Sequence, residues 1–183
     1  MVLFFSLLYR PAWGQVTAPG GGGSVAAGTA SKLSSSDKSF LRQAAEGNQA
    51  AIELGQVAEQ KGFSAAARNF ARKLVAERSH AQQELVALAR TLNLGLPLRL
   101  SRHDRKTKKQ LEKHSGEQLD RIFLSNMASE LERQYGNYED TAMSTQNPAV
   151  KNYIEDLLSE VKHQDQLAKE MAPPGSTTSS NDQ

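Results

Sequence analysis

The sequence predicts an all-α protein: an antiparallel four-helix bundle with a short extra helix between the second and third long helices. Three observations point there. Apolar residues recur at three- and four-residue steps through four long stretches, which is one face of a 3.6-residue helix. Glycine and proline gather mostly near the ends instead of punctuating short strands, and aromatics are only 6% of the residues. Long helices with one apolar face bury it by packing side by side, and short connections make neighbours antiparallel.

The elements follow in chain order. Val2 to Tyr9 is an apolar run, followed by Arg10-Pro11 and then Ala12-Trp13-Gly14, which sets small residues for cleavage after Gly14. This is the pattern of a secretory signal peptide over 1–14, although no Lys or Arg precedes the run. The run falls far short of the roughly 20 residues that span a bilayer, so no transmembrane span is expected. Residues 15–36, with Gly20-Gly21-Gly22-Gly23-Ser24, read as a disordered leader whose composition buries too little to offset its ordering entropy. The folded domain is expected over 37–171, with a disordered tail over 172–183 opened by Pro173-Pro174-Gly175.

Within that domain, Asp37 is the expected N-cap of a first helix reaching Lys61, with Phe40, Leu41, Ala44, Ala45, Ile52 and Ala58 on its face and Gly62 just past its end. Ser64 caps the second, whose stripe is Ala67, Phe70, Ala71, Leu74, Ala81, Leu85, Leu88 and Leu92, before Gly95 and Pro97. A short basic helix is expected over about 104–113, and Ser115-Gly116 breaks it. Leu119, Ile122, Phe123, Met127, Leu131, Tyr135 and Tyr138 line the third long helix, which runs to about Ser144. Asn147-Pro148 starts the fourth, with Val150, Ile154, Leu157, Leu158, Val161, Ala168 and Met171 as its stripe.

Composition excludes several functions. With no Cys there is no disulfide, thiol nucleophile, cysteine metal site or lipid-modified Cys, so stability rests on the apolar stripes. The 22 basic residues against 20 acidic ones leave a net charge of only +2, too little to make the whole surface a polyanion trap. No phosphate-binding loop, dinucleotide fingerprint or Gly-x-Ser-x-Gly elbow is present. The expectation is a protein that is not an enzyme and has no cofactor. It is periplasmic or secreted, loosely associated with the cell envelope or outer membrane, with a structural, stress-related or interaction role and no nucleic-acid partner.

Two constellations are candidate sites. Glu77-Arg78-Ser79-His80 and Glu160-Val161-Lys162-His163 both read Glu-x-x-His. With Glu46 or Glu53 on the first helix and Glu130 on the third, they supply the ligand inventory of a carboxylate-bridged di-metal site. Helical geometry argues against convergence: at about 100° per residue, His163 faces nearly away from the apolar stripe and His80 lies about 100° from its stripe's centre. The expectation is therefore that Glu53, Glu77, His80, Glu130, Glu160 and His163 hold no metal. The second constellation is the basic stretch Arg99, Arg102, Arg105, Lys106, Lys108 and Lys109 with His103, suited to anionic lipid headgroups or cell-wall phosphates. It has no interleaved aromatics of the kind that stack on bases.

Several short stretches resemble one bacterial group: Phe40…Ala44-Ala45-Glu46-Gly47, Ile52-Glu53-Leu54-Gly55…Ala58, Phe70-Ala71…Leu74-Val75 and Glu84-Leu85…Leu88-Ala89. Leu96-Pro97, Ser115-Gly116-x-x-Leu119-Asp120-Arg121 and Leu167-Ala168 add to the pattern. The chain over 37–171 resembles the domain of unknown function 4142 family, ferritin-like four-helix proteins described as periplasmic or outer-membrane. The resemblance implies a ferritin-like bundle. It also implies polar positions that this chain fills differently. The family's acid before the Ile-Glu-Leu-Gly stretch falls on Ala51, and its Asp-His pairs fall on Glu77-Arg78 and Glu130-Leu131. The His of its last helix falls on Gln164.

Overall fold

The computed structural model describes residues 32–172. The expected signal peptide, most of the leader and the tail from 173 onward lie outside the described residues. Within them the chain is all-helical: α1 (Ser35–Lys61), α2 (Ala65–Thr91), α3 (Arg102–Glu112), α4 (Gly116–Ser144) and α5 (Pro148–Met171), with no strand.

Local chemistry sets the ends. Ser64 caps α2 as expected, its hydroxyl accepting from Ala67 N at 3.1 Å, and Pro148 opens α5 behind Asn147, whose side chain accepts from Ala149 N and Val150 N. Two starts differ from expectation. Asp37 is not the N-cap of α1; it is the third helical residue, and Ser34 caps. Asp37 N donates to Ser34 Oγ and Ser34 N to Asp37 Oδ2, each at 3.0 Å, a reciprocal capping box. Burial opposes ionisation of Asp37, but its bonds to Ser34 and Thr145 outweigh that and hold the carboxyl below its ordinary range. Asp104 plays the same third-residue part in α3, capped by Ser101 at 3.1 Å, so that helix begins two residues early.

Two glycines also act differently from the expectation. Gly62 has φ −56 rather than a left-handed turn. What its position needs is the missing Cβ, which would stand 2.4 Å from Ala58 O and 3.3 Å from Asp120 Oδ1. The α2 terminus is made by Asn93 (φ 51) and not by Gly95: Leu94 N donates to Ala89 O and Asn93 N to Arg90 O, the paired bonds of a Schellman ending.

The four long helices form a ring in which α1 packs on α2, α2 on α5, α5 on α4 and α4 on α1; α3 lies outside it against α1 and α4. The interior has two apolar halves. One gathers Ala51–Ala58 of α1, Ala67–Leu74 of α2, Leu119–Leu131 of α4, Ala168 of α5 and Leu111 of α3. The other gathers Phe40–Ala45, Ala81 and Leu85, Tyr138, and Val150–Val161. The start of α1 thus shares a half with the end of α2, the end of α4 and the start of α5, so all ring neighbours run antiparallel. Phe40 meets Tyr138 edge-on at 5.0 Å in one half, and Phe70 meets Phe123 at 6.0 Å in the other.

Candidate functional site

Between the two apolar halves the long helices contribute buried polar residues: Asn48 from α1, Arg78 from α2, Gln134 from α4, and Gln164 and Asp165 from α5. They make a polar belt across the middle of the interior. Arg78 has no exposed surface, and its Nη2 donates to Gln164 Oε1. The Gln164 Nε2 donates in turn to Glu77 Oε2 at 2.6 Å and Glu160 Oε1 at 3.2 Å. With its oxygen and both amide hydrogens engaged, Gln164 holds one orientation and ties α2 to α5. Burial, and after it the charge of Glu77, pushes the Glu160 carboxyl above its ordinary range, against the pull of Arg78 and His80.

The aromatic side of the belt is also polar. Tyr138 and Tyr153 are buried beside Arg78, with Asn48 next to Tyr153. Burial pushes both phenols up, Tyr153 well above its usual range, with Tyr138 adding to that shift. Gln134 Nε2 donates to Glu130 Oε1 at 2.9 Å and packs on the bare backbone of Gly47, lying 2.4 Å from where a Cβ would stand. Among the described residues, Arg78 Nε and Nη1 meet no partner in hydrogen-bond geometry.

The belt explains where the proposed metal ligands go. Only Glu77 and Glu160 come together, through the Gln164 amide. Glu53 turns outward to Lys108 Nζ at 2.9 Å, and Glu130 is held by Arg133 at 2.6 Å and by Gln134. The His80 side chain is 71% exposed beside Glu84, and His163 is exposed on α5. Among the described residues no three of His, Asp and Glu stand close enough to share a metal ion. The interior between the two apolar halves instead holds the Arg78 guanidinium, a permanent positive charge. Sequence reasoning missed Arg78 as an interior residue, although the family register had already aligned Arg78 and Gln164 with the polar positions of that group.

Two surface features flank α3. A cleft of about 760 Å³ opens between α1, the first turn of α3 and α4, with Glu46, Gly47, Asp104, Glu130 and Arg133 on its walls and Leu54 and Met127 at its floor. Burial and the Glu130 bond act in opposite directions on Arg133; the bond is the larger effect, and with the charges of Glu130, Asp104 and Glu46 it raises the guanidinium further. On the other side lies the basic stretch. Residues 99–113 hold seven Lys or Arg and two acids, so the rest of the chain is net acidic by three although the total is +2. Arg105 Nη1 donates to Leu100 O at 2.6 Å, and Lys108 is tied to Glu53. Burial opposes ionisation of Glu53, but Gln49 and Lys108 outweigh it and hold the carboxyl below its usual range. Arg99, Arg102, Arg105, Lys106 and Lys109 are exposed.

Comparison with curated proteins and with solved structures gives no match. The family described as "Domain of unknown function (DUF4142)" matches residues 23–171, which takes in all five helices. The buried Arg78–Gln164 pair occupies two of the positions at which the resemblance had placed polar family residues. This chain belongs to the DUF4142 family.

Proposed function

We propose that the protein is an exported, non-enzymatic, ferritin-like four-helix bundle that serves as a structural or interaction module of the cell envelope, in the periplasm or loosely held at the outer membrane. The polar belt carries this reading. The interior where a ferritin-like protein would gather acids and histidines holds a guanidinium and a fully engaged amide, and neither serves as a general base or a metal ligand at neutral pH. The ring of antiparallel helices supports the bundle architecture, and the Val2–Gly14 pattern supports export. No described helix is long and apolar enough to cross a membrane.

The test has two parts. Fractionation is expected to find the protein outside the cytoplasm, and deletion of residues 1–14 is expected to retain it inside; a cytoplasmic full-length protein overturns the envelope reading. Metal analysis of the purified full chain is expected to give far less than one equivalent, with a thermal midpoint unmoved by a chelator. Stoichiometric metal that disappears in the His80→Ala and His163→Ala variants overturns the metal-free reading. A second reading, a module that binds polyanions, is favoured by the uncompensated cations on α3.

A further inference from the structure

Helix α3 has two unlike faces. Asp104, Thr107, Lys108 and Leu111 turn inward: Leu111 is buried in the core, Lys108 binds Glu53 and Asp104 binds Ser101. The opposite stripe is Arg102, Lys106, Lys109 and Lys113, at steps of four, three and four, all exposed. Four cations on successive turns repel one another, and the described residues place no carboxylate of another helix against them. Next to the stripe lies a hollow of about 420 Å³, whose lining includes Leu98, Arg99, Arg105 and Lys109 together with Glu53 and Lys108. Leu98 stands at this rim 55% exposed. The Arg105 guanidinium is fixed there by its bond to Leu100 O.

We infer that this face docks on an anionic phospholipid surface, with the cations on the headgroup phosphates and Leu98 entering the apolar layer. The inference rests on the envelope reading above and names its partner. A soluble phosphate polymer would satisfy the cations but has no use for an exposed leucine among them, whereas a bilayer offers both charge and hydrocarbon. The charge distribution also orients the molecule. With the remainder of the chain net acidic by three, the positive charge is concentrated at 99–113, and an anionic membrane attracts that segment. Glu53 weakens the contact, because it pairs with Lys108, one of the cations that line the hollow.

The test is co-sedimentation of the full chain with phosphatidylcholine vesicles, with and without phosphatidylglycerol, at low and high salt. Each cation near an anionic surface contributes about a fivefold increase in affinity, so the Arg102→Gln/Lys106→Gln/Lys109→Gln variant is expected to bind the anionic vesicles about a hundredfold more weakly. Because it retains Val2–Tyr9, it separates the α3 contribution from any made by that apolar run. Leu98→Ser is expected to lose affinity severalfold with no change in charge. Glu53→Gln is expected to gain affinity by up to about fivefold as Lys108 is released. Circular dichroism of each variant confirms the helices are intact.

The inference is overturned if the triple variant binds as tightly as the unsubstituted chain, or if neutral vesicles bind as well as anionic ones. Binding to an RNA duplex as tight as to vesicles, with Leu98→Ser without effect on either, also overturns it in favour of a generic polyanion site. A cytoplasmic location would overturn the envelope reading independently of these results, so the two failures are distinguishable.

Discussion

Arg78 in the interior and Arg105 on α3 each donate to a carbonyl oxygen, the first to the Gln164 amide and the second to Leu100. Their surroundings make them opposites. Arg78 has no exposed surface and is joined through Gln164 to two glutamates, so its charge is spent inside the fold. Arg105 is exposed on a segment with seven basic residues and two acids, so the charge around it is left for something outside. The difference teaches that basic residues in this chain do separate work: one holds helices together, while the others form a face. Removing a buried charge partner is expensive, whereas exposed charges contribute little to folding and much to long-range attraction.

Substitution should separate the two regions sharply. Arg78→Ala leaves a cavity and strips Gln164 of its donor, and is expected to cost about 3–5 kcal/mol of unfolding free energy in urea. Lys109→Ala should stay within about 0.5 kcal/mol. Equal losses for the two would break the comparison. A buried acceptor of a different kind gives an intermediate case. Asp120 accepts from Phe63 N at 2.9 Å and Ser64 N at 2.8 Å, fixing the turn that leads into α2. Asp120→Ala is expected to cost about 1–3 kcal/mol, since two backbone donors lose their acceptor.

The smallest expected effect is a pH dependence at the belt. Because the Glu160 carboxyl is raised in the folded state, the folded chain holds that proton more firmly than the unfolded chain. Its contribution to stability is therefore present at low pH and is lost as pH rises from the ordinary glutamate range through the raised value. Glu160→Gln keeps an acceptor for Gln164 and removes the titration. The variant is expected to have a slightly higher thermal midpoint than the unsubstituted chain at neutral pH and no advantage below the glutamate range. An advantage that is largest in acid would reverse the assignment. Asp37 and Glu53, whose carboxyls are lowered, act in the other sense and lose their contribution on acidification.

Much of the helix plan was legible because its causes are local. Ser64 and Asn147-Pro148 announce α2 and α5 by chemistry that acts within three residues. The start of α1 was read two residues late because in a capping box the serine and the acid three places on both carry the signal, and the acid was taken for the cap. Arg78 was legible in position but not in role. It lies four residues after Leu74 and three before Ala81, inside the stripe, yet a charged residue there reads as an interruption until its partner is known. Glu53 shows the converse. Its type and its place on α1 suggested a metal ligand, but the side chain is taken by Lys108 on a helix that arrives 55 residues later.

By itself the sequence determined the five helices, the apolar stripe of each long one and the concentration of positive charge at 99–113, because helix hydrogen bonds, caps and a 3.6-residue period act over a few residues. Only the tertiary structure decided which polar residues face each other: Arg78 with Gln164 across 86 residues, Lys108 with Glu53, Asp120 with the start of α2. Those pairings depend on the axial register and rotation of whole helices, which are set when all the stripes are buried together. A rotation of about 100° from a one-residue shift would remake every one of them without altering a single local signal.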